Sequence, residues 1–141
     1  MMRVNKVSEY GILALGYIGG QVKAVSARQV SEGLQIPYEI TAKTLQKLKD
    51  AGFVNSTKGT NGGYILVSPL SQISFAQIVD AIEGPIGITE CMSDGPQAKI
   101  CSRHESCELK SGMKKVNQRV RELLESVKLD ELTNKVETRI K

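Results

Sequence analysis

The sequence of 141 residues predicts a mainly α-helical fold that carries one small β-hairpin. Three patterns lead there. Apolar residues recur at helical spacing through most of the first 85 residues. A glycine-rich stretch interrupts two short β-branched runs. Near the C-terminus a long charged segment carries a narrow apolar seam.

The first helix is expected from about Lys6 to Ile18, with Val7, Tyr10, Ala14, Tyr17 and Ile18 on one side and Gly19-Gly20 as its stop. Ser26-Ala27-Arg28-Gln29 is a capping box that opens a short helix to about Leu34. Gln35-Ile36-Pro37 is a turn, and Pro37 suits a first helical position because no N–H is needed there. The next helix runs to Ala51, with Thr41, Leu45 and Leu48 on one face and Gly52 as its left-handed stop. Two helices joined by so short a turn form a helix-turn-helix unit. Phe53-Val54 and Tyr64-Ile65-Leu66-Val67 then frame a hairpin, with Asn61-Gly62 as its turn signal. A hairpin in that place is a wing. A second capping box, Ser74-Phe75-Ala76-Gln77, opens a helix with Phe75, Ile78, Val79 and Ile82 inward, closed by Gly84-Pro85.

An irregular stretch follows from Ile86 to about Glu108. From Leu109 the pattern is helical again, and Met113, Val116, Val120, Leu123 and Val127 form the seam of a two-helix packing. Lys114, Arg119, Arg121 and Glu125 flank it. The seam can lie on the chain's own domain or on a second copy; its length and narrowness favour the second copy. The tail beyond Leu132 is polar and is expected to fray. The fold class is therefore a winged helix-turn-helix plus a long C-terminal dimerisation helix. It divides into a DNA-binding region (1–85), a cysteine loop (86–108), and a dimerisation helix with its tail (109–141).

A net charge of +4 permits a polyanionic partner without demanding one. No apolar run is long enough for a membrane span, and the N-terminus lacks the apolar core of a signal peptide. The expected place is the cytoplasm. The helix from Pro37 to Lys49 is the expected reader of the major groove of double-stranded DNA. Tyr38, Glu39, Thr41 and Ala42 lie in its first half, with Lys43 and Lys47 further along. Arg28 is a candidate phosphate contact, and Ala42 can touch a thymine methyl. In the wing, Lys58 can reach a phosphate, with Thr60, Asn61 and Gly62 beside it. Each lysine can equally be a solvated face.

Three cysteines, Cys91, Cys101 and Cys107, fall within 17 residues and occur nowhere else. An odd number argues against a disulfide framework, and clustering argues against scattered buried apolar residues. Nine residues separate the first pair and five the second, so the close pair usual in zinc sites is missing. Spacing alone leaves zinc and an iron–sulfur cluster both open.

The wing Lys58-Gly59-Thr60-Asn61-Gly62-Gly63-Tyr64, the run from Ile73 to Pro85 with its Ile-Glu-Gly-Pro ending, and the cysteines that follow resemble the IscR/NsrR-type regulators. These form the "Rrf-two" family of winged-helix transcription factors. The resemblance covers nearly the whole chain and is nearest to regulators of iron–sulfur assembly operons. It implies a homodimer on a two-fold-related operator. It also implies an iron–sulfur cluster on Cys91, Cys101 and Cys107, [2Fe–2S] being favoured over [4Fe–4S]. In the IscR-like pattern a histidine stands three residues after the last cysteine; that place is Lys110 here. In the NsrR-like pattern a carboxylate from the other subunit precedes an aromatic residue of the first helix, and Glu9 before Tyr10 matches it. Glu9 is the expected fourth ligand and His104 the alternative. A ligand that is not a thiolate is displaced more easily, which suits a sensor. Rival readings are a nitric oxide or redox sensor of the same fold, a small iron–sulfur electron carrier, and a zinc-stabilised module. An enzyme is not expected: His104 has no evident nucleophile partner, and the wing glycines do not precede a helix.

Overall fold

The computed structural model describes residues 3–85, 87 and 108–133. Helix α1 (Lys6–Gly19) is capped by Asn5, whose side chain accepts from the Ser8 N–H at 2.9 Å. Helix α2 (Ala27–Leu34) opens with both halves of the Ser26/Gln29 capping box, at 3.1 and 2.8 Å. Helix α3 (Tyr38–Asp50) begins one residue later than expected. Pro37 is its cap, with φ −53° and ψ 138°, and is not its first helical residue. Gln35 is left-handed at φ 57° and Ile36 is buried. The chain therefore needs one more extended residue before it can restart, and proline accepts that conformation.

Strands β1 (Val54–Thr57) and β2 (Gly63–Leu66) pair antiparallel, Thr57 opposite Gly63. That register leaves a loop of residues 58–62, not a tight Asn61-Gly62 turn. The left-handed residue is Gly59, at φ 104°, and Asn61 is not left-handed. A short 3-10 turn (Leu70–Gln72) leads into α4 (Phe75–Glu83), which opens with the second capping box at 2.8 and 3.1 Å. Both boxes formed as the sequence predicts, because each satisfies orphan amides at a helix start with residues three apart.

The core joins Leu15 of α1, Val30 of α2, Leu45 and Leu48 of α3, Val54 of β1, and Ile78 of α4. Helix α5 (Lys110–Ser126) has no buried residue. Val116 is 45% exposed and Leu123 is 62% exposed. Val127 does not continue the seam. It leaves the helix in an extended conformation, and its carbonyl accepts from the Phe75 N–H at 2.8 Å. The Leu129 N–H then donates to the Ile73 carbonyl at 2.9 Å, and the Leu129 side chain is fully buried in the core. Residues 129–133 are helical, and Thr133 sits against Gly16 of α1. The tail expected to fray beyond Leu132 lies, after Thr133, outside the described residues. No helix among the described residues is long and apolar enough to cross a membrane.

Candidate nucleic-acid interface

Four inward residues of α3, namely Thr41, Thr44, Leu45 and Leu48, fix which side faces out. Tyr38, Glu39, Lys43 and Lys47 are exposed, and Ala42 is half-buried at the border. Thr41 is only 3% exposed, and its hydroxyl donates to the Pro37 carbonyl at 3.0 Å. It secures the first turn of α3 and is removed from the base-reading set, because its side chain lies on the core side of the helix. Its spacing from Leu45 and Leu48 already carried that signal. Gln46 and Ile40 also lie on the outward face. Gln46 falls one turn beyond Ala42 and Lys43, and its amide donates to Asp50 at 2.9 Å. An amide there has the donor and acceptor pair that adenine presents in the major groove. Ile40 is exposed despite its apolar side chain.

Arg28 and Tyr38, singled out separately from the sequence, are brought together. The Arg28 guanidinium lies over the Tyr38 ring, 4.9 Å from its centre. The short turn between α2 and α3 places the two helix starts side by side, which sequence spacing alone does not reveal.

The wing is fastened to the loop before α2. The Tyr64 N–H donates to the Val25 carbonyl at 2.6 Å, and the Val25 N–H donates back to Tyr64 at 3.1 Å. This close approach explains Gly63. A Cβ there would fall on the Val25 backbone, and φ is 154°. The Gly-Gly-Tyr signature therefore serves the chain's own packing first. Lys58, Thr60 and Asn61 are exposed on the loop, while Gly62 is half-buried against the Thr57 carbonyl.

Behind this surface, α4 has two tethers. Glu83 accepts from the Asn5 N–H at 3.2 Å and from the buried Ser8 hydroxyl at 2.5 Å, so it holds the first turn of α1. Asp80 receives both terminal nitrogens of Arg121 from α5, one of them at 2.6 Å. Arg121 also donates to Glu125 at 2.8 Å. These acceptors, Asp80 first, push the Arg121 pKa above its ordinary range. Arg121 is thus a link between elements and not merely a flank of the seam. Glu9 lies next to Ser8 on the opposite, solvent side of α1, with its side chain 49% exposed and Lys6 at 3.2 Å. Cys91, Cys101, Cys107 and His104 lie outside the described residues.

The comparisons with known proteins agree with this geometry. The family described as Rrf2, iron-dependent transcriptional regulator, matches residues 4–135. A protein of Neisseria meningitidis named as an HTH-type transcriptional regulator is 29% identical over 133 residues, spanning 93% of this chain and 87% of its own. Protein aau3 of Rhizobium meliloti is 27% identical over 132 residues, spanning 93% and 84%. Among solved structures, CymR, the global cysteine regulator of B. subtilis, superposes with a TM-score of 0.75 at 20% identity, over 95% of this chain and 98% of that one. IscR of T. potens superposes at 0.70 with 23% identity, over 96% and 88%. At these identities the two structures establish the winged-helix fold.

Proposed function

This chain belongs to the Rrf2 family of iron-dependent transcriptional regulators, and from that premise we propose that it binds a two-fold-related DNA operator as a homodimer and adjusts that binding through an iron–sulfur cluster. One observation carries the DNA half: α3 turns Tyr38, Glu39, Lys43 and Lys47 outward, with Ala42 at the border, beside a wing that Val25 and Gly63 hold in place. Lys58, Thr60, Asn61 and Gly62 would meet the flanking backbone or minor groove. Homodimerisation is supported by the apolar line of Val116 and Leu123, left uncovered on α5. The regulated genes would be those of iron–sulfur cluster assembly, and the place of action the cytoplasm.

The cluster half rests on the donor set. Cys91, Cys101 and Cys107 offer three thiolates, soft ligands suited to iron. The partner's Glu9 would be the fourth ligand, with His104 as the alternative. An outward carboxylate whose ion pair among the described residues is with an exposed lysine can be given to another subunit. A bound [2Fe–2S] or [4Fe–4S] cluster would supply a group that iron supply, oxidant or nitric oxide can add or remove. The chain would transmit its state through α4. The segment bearing the cysteines leaves α4 just after Glu83, which grips the first turn of α1, and one turn after Asp80, which grips α5. A rearrangement beyond Gly84 then bears on both elements.

The test is an anaerobic preparation, its visible spectrum with iron and sulfide counts, and matched titrations of loaded and cluster-free protein on one duplex at fixed salt. We expect a coloured protein and different affinities in the two states. A colourless protein containing zinc, or equal affinities, would overturn the cluster reading and leave the DNA reader standing. Glu9→Ala should shorten the cluster's lifetime; an unchanged spectrum and lifetime would move the fourth ligand to His104 or elsewhere.

A further inference from the structure

The stacked pair Arg28 and Tyr38 has no evident task in the fold. Both side chains are exposed, Tyr38 by 45%. Among the described residues the Arg28 guanidinium makes no ion pair and no hydrogen bond, and the ring is its one partner. Its five N–H donors are uncommitted. Arg28 is also the second residue of α2, where the helix dipole disfavours a cation. The stacking gain at an exposed site is of similar size and opposite sign. The pair therefore adds little to folding, while it fixes one of the most flexible side chains in a single direction.

We propose that Tyr38 is a shelf that holds the Arg28 guanidinium edge-on to the DNA backbone, so that Arg28 clamps one phosphate through two parallel N–H donors. Tyr38 is then a positioning residue and not a contact of its own. The proposal rests on the DNA-binding reading above and refines it. A phosphate is the target because Arg28 stands on α2, the helix that crosses the backbone in such units, while α3 faces the bases. The guanidinium fork matches a phosphate in two places, and stacking leaves its N–H edge free. A lysine in the same place could supply charge without that geometry.

The experiment uses the full-length protein and two duplexes of equal length, one selected from random DNA by the wild type and one unselected. Affinity is followed over a salt series for the wild type, Arg28→Ala, Arg28→Lys, Tyr38→Phe, Tyr38→Ala and the double alanine variant. Arg28→Ala should weaken binding to both duplexes by roughly tenfold and flatten the log–log salt slope by about one per bound subunit. Tyr38→Phe should match the wild type, since the ring is the shelf. Tyr38→Ala should reproduce most of the Arg28→Ala loss, and the double variant should be no weaker than Arg28→Ala. Arg28→Lys should keep the salt slope and lose part of the affinity. Additive losses, or a Tyr38→Phe variant as weak as Tyr38→Ala, would overturn the shelf. A loss confined to the selected duplex with an unchanged slope would make Arg28 a base contact and overturn the phosphate assignment. A wild type that binds neither duplex removes the DNA reading itself, and the pair falls with it. Both positions are exposed, so thermal melting separates a folding defect from a binding one.

Discussion

The winged-helix head and helix α5 bury their apolar residues in opposite ways. In the head, Leu15, Leu45, Leu48 and Ile78 are completely enclosed by neighbours from the same chain. Helix α5 runs for 17 residues without burying one, and its Val116 and Leu123 face solvent. A helix of that length gains too little from hydrogen bonding alone to be firmly stable in water. It is held at Arg121 by Asp80 and at its far end by the strand-like residues around Val127. The head is complete as one chain. The long helix leaves Val116 and Leu123 uncovered, and in the proposed homodimer a second copy would cover them.

That contrast can be broken at the largest scale from the core. Leu48→Ala should cost about 2–5 kcal/mol, a large share of a small domain's stability, and a denaturant titration reads it. Leu129→Ala should cost a similar amount, although Leu129 lies beyond α5 in the sequence, because it is enclosed in the same core. If Leu129→Ala melts like the wild type, the residues after α5 do not belong to the head. Leu123→Asp should act differently. Sedimentation should show a monomer while the unfolding midpoint of the head moves little, because the aspartate meets water in the single chain and an apolar neighbour only in the dimer. A Leu123→Asp variant that remains a dimer would place the interface elsewhere.

How much of this the sequence disclosed depends on range. Features governed by three or four neighbouring residues were legible, and both capping boxes, the turn at Gln35–Pro37 and the two-stranded wing are of this kind. Register depends on which amides pair across a hairpin, so the wing loop came out longer than the Asn61-Gly62 signal suggests and placed its left-handed residue at Gly59. Thr41 lies in the base-reading half of its helix, yet its spacing puts it with Leu45 and Leu48, and burial follows the spacing. Contacts between distant segments left almost no local trace. Nothing around Leu129 says that it will close the core, and nothing around Val25 says that it will fasten the wing. The stacking of Arg28 on Tyr38 depends on how two helix starts meet, which no periodicity encodes.

The smallest effect tests the joint between the two regions. Asp80 and Arg121 are 41 positions apart and meet through two nitrogen–oxygen contacts, with about three-quarters and two-thirds of each side chain covered (26% and 31% exposed). Partial cover lifts such a pair above an ordinary surface contact, and two parallel donors fix its geometry. Asp80→Asn removes the charge and keeps an acceptor, so it should cost about 1 kcal/mol in a denaturant titration. Arg121→Met keeps the apolar stem and should cost a similar amount, while the double variant should be little worse than either, with a coupling of about 0.5–2 kcal/mol. If α5 is a lever as well as the proposed dimer seam, the same pair of variants must also narrow the proposed difference in DNA affinity between the cluster-loaded and cluster-free forms. Stability lost with that difference intact would make the ion pair a brace. A difference that narrows in both single variants and no further in the double would make Asp80 and Arg121 the route by which α4 and α5 move together.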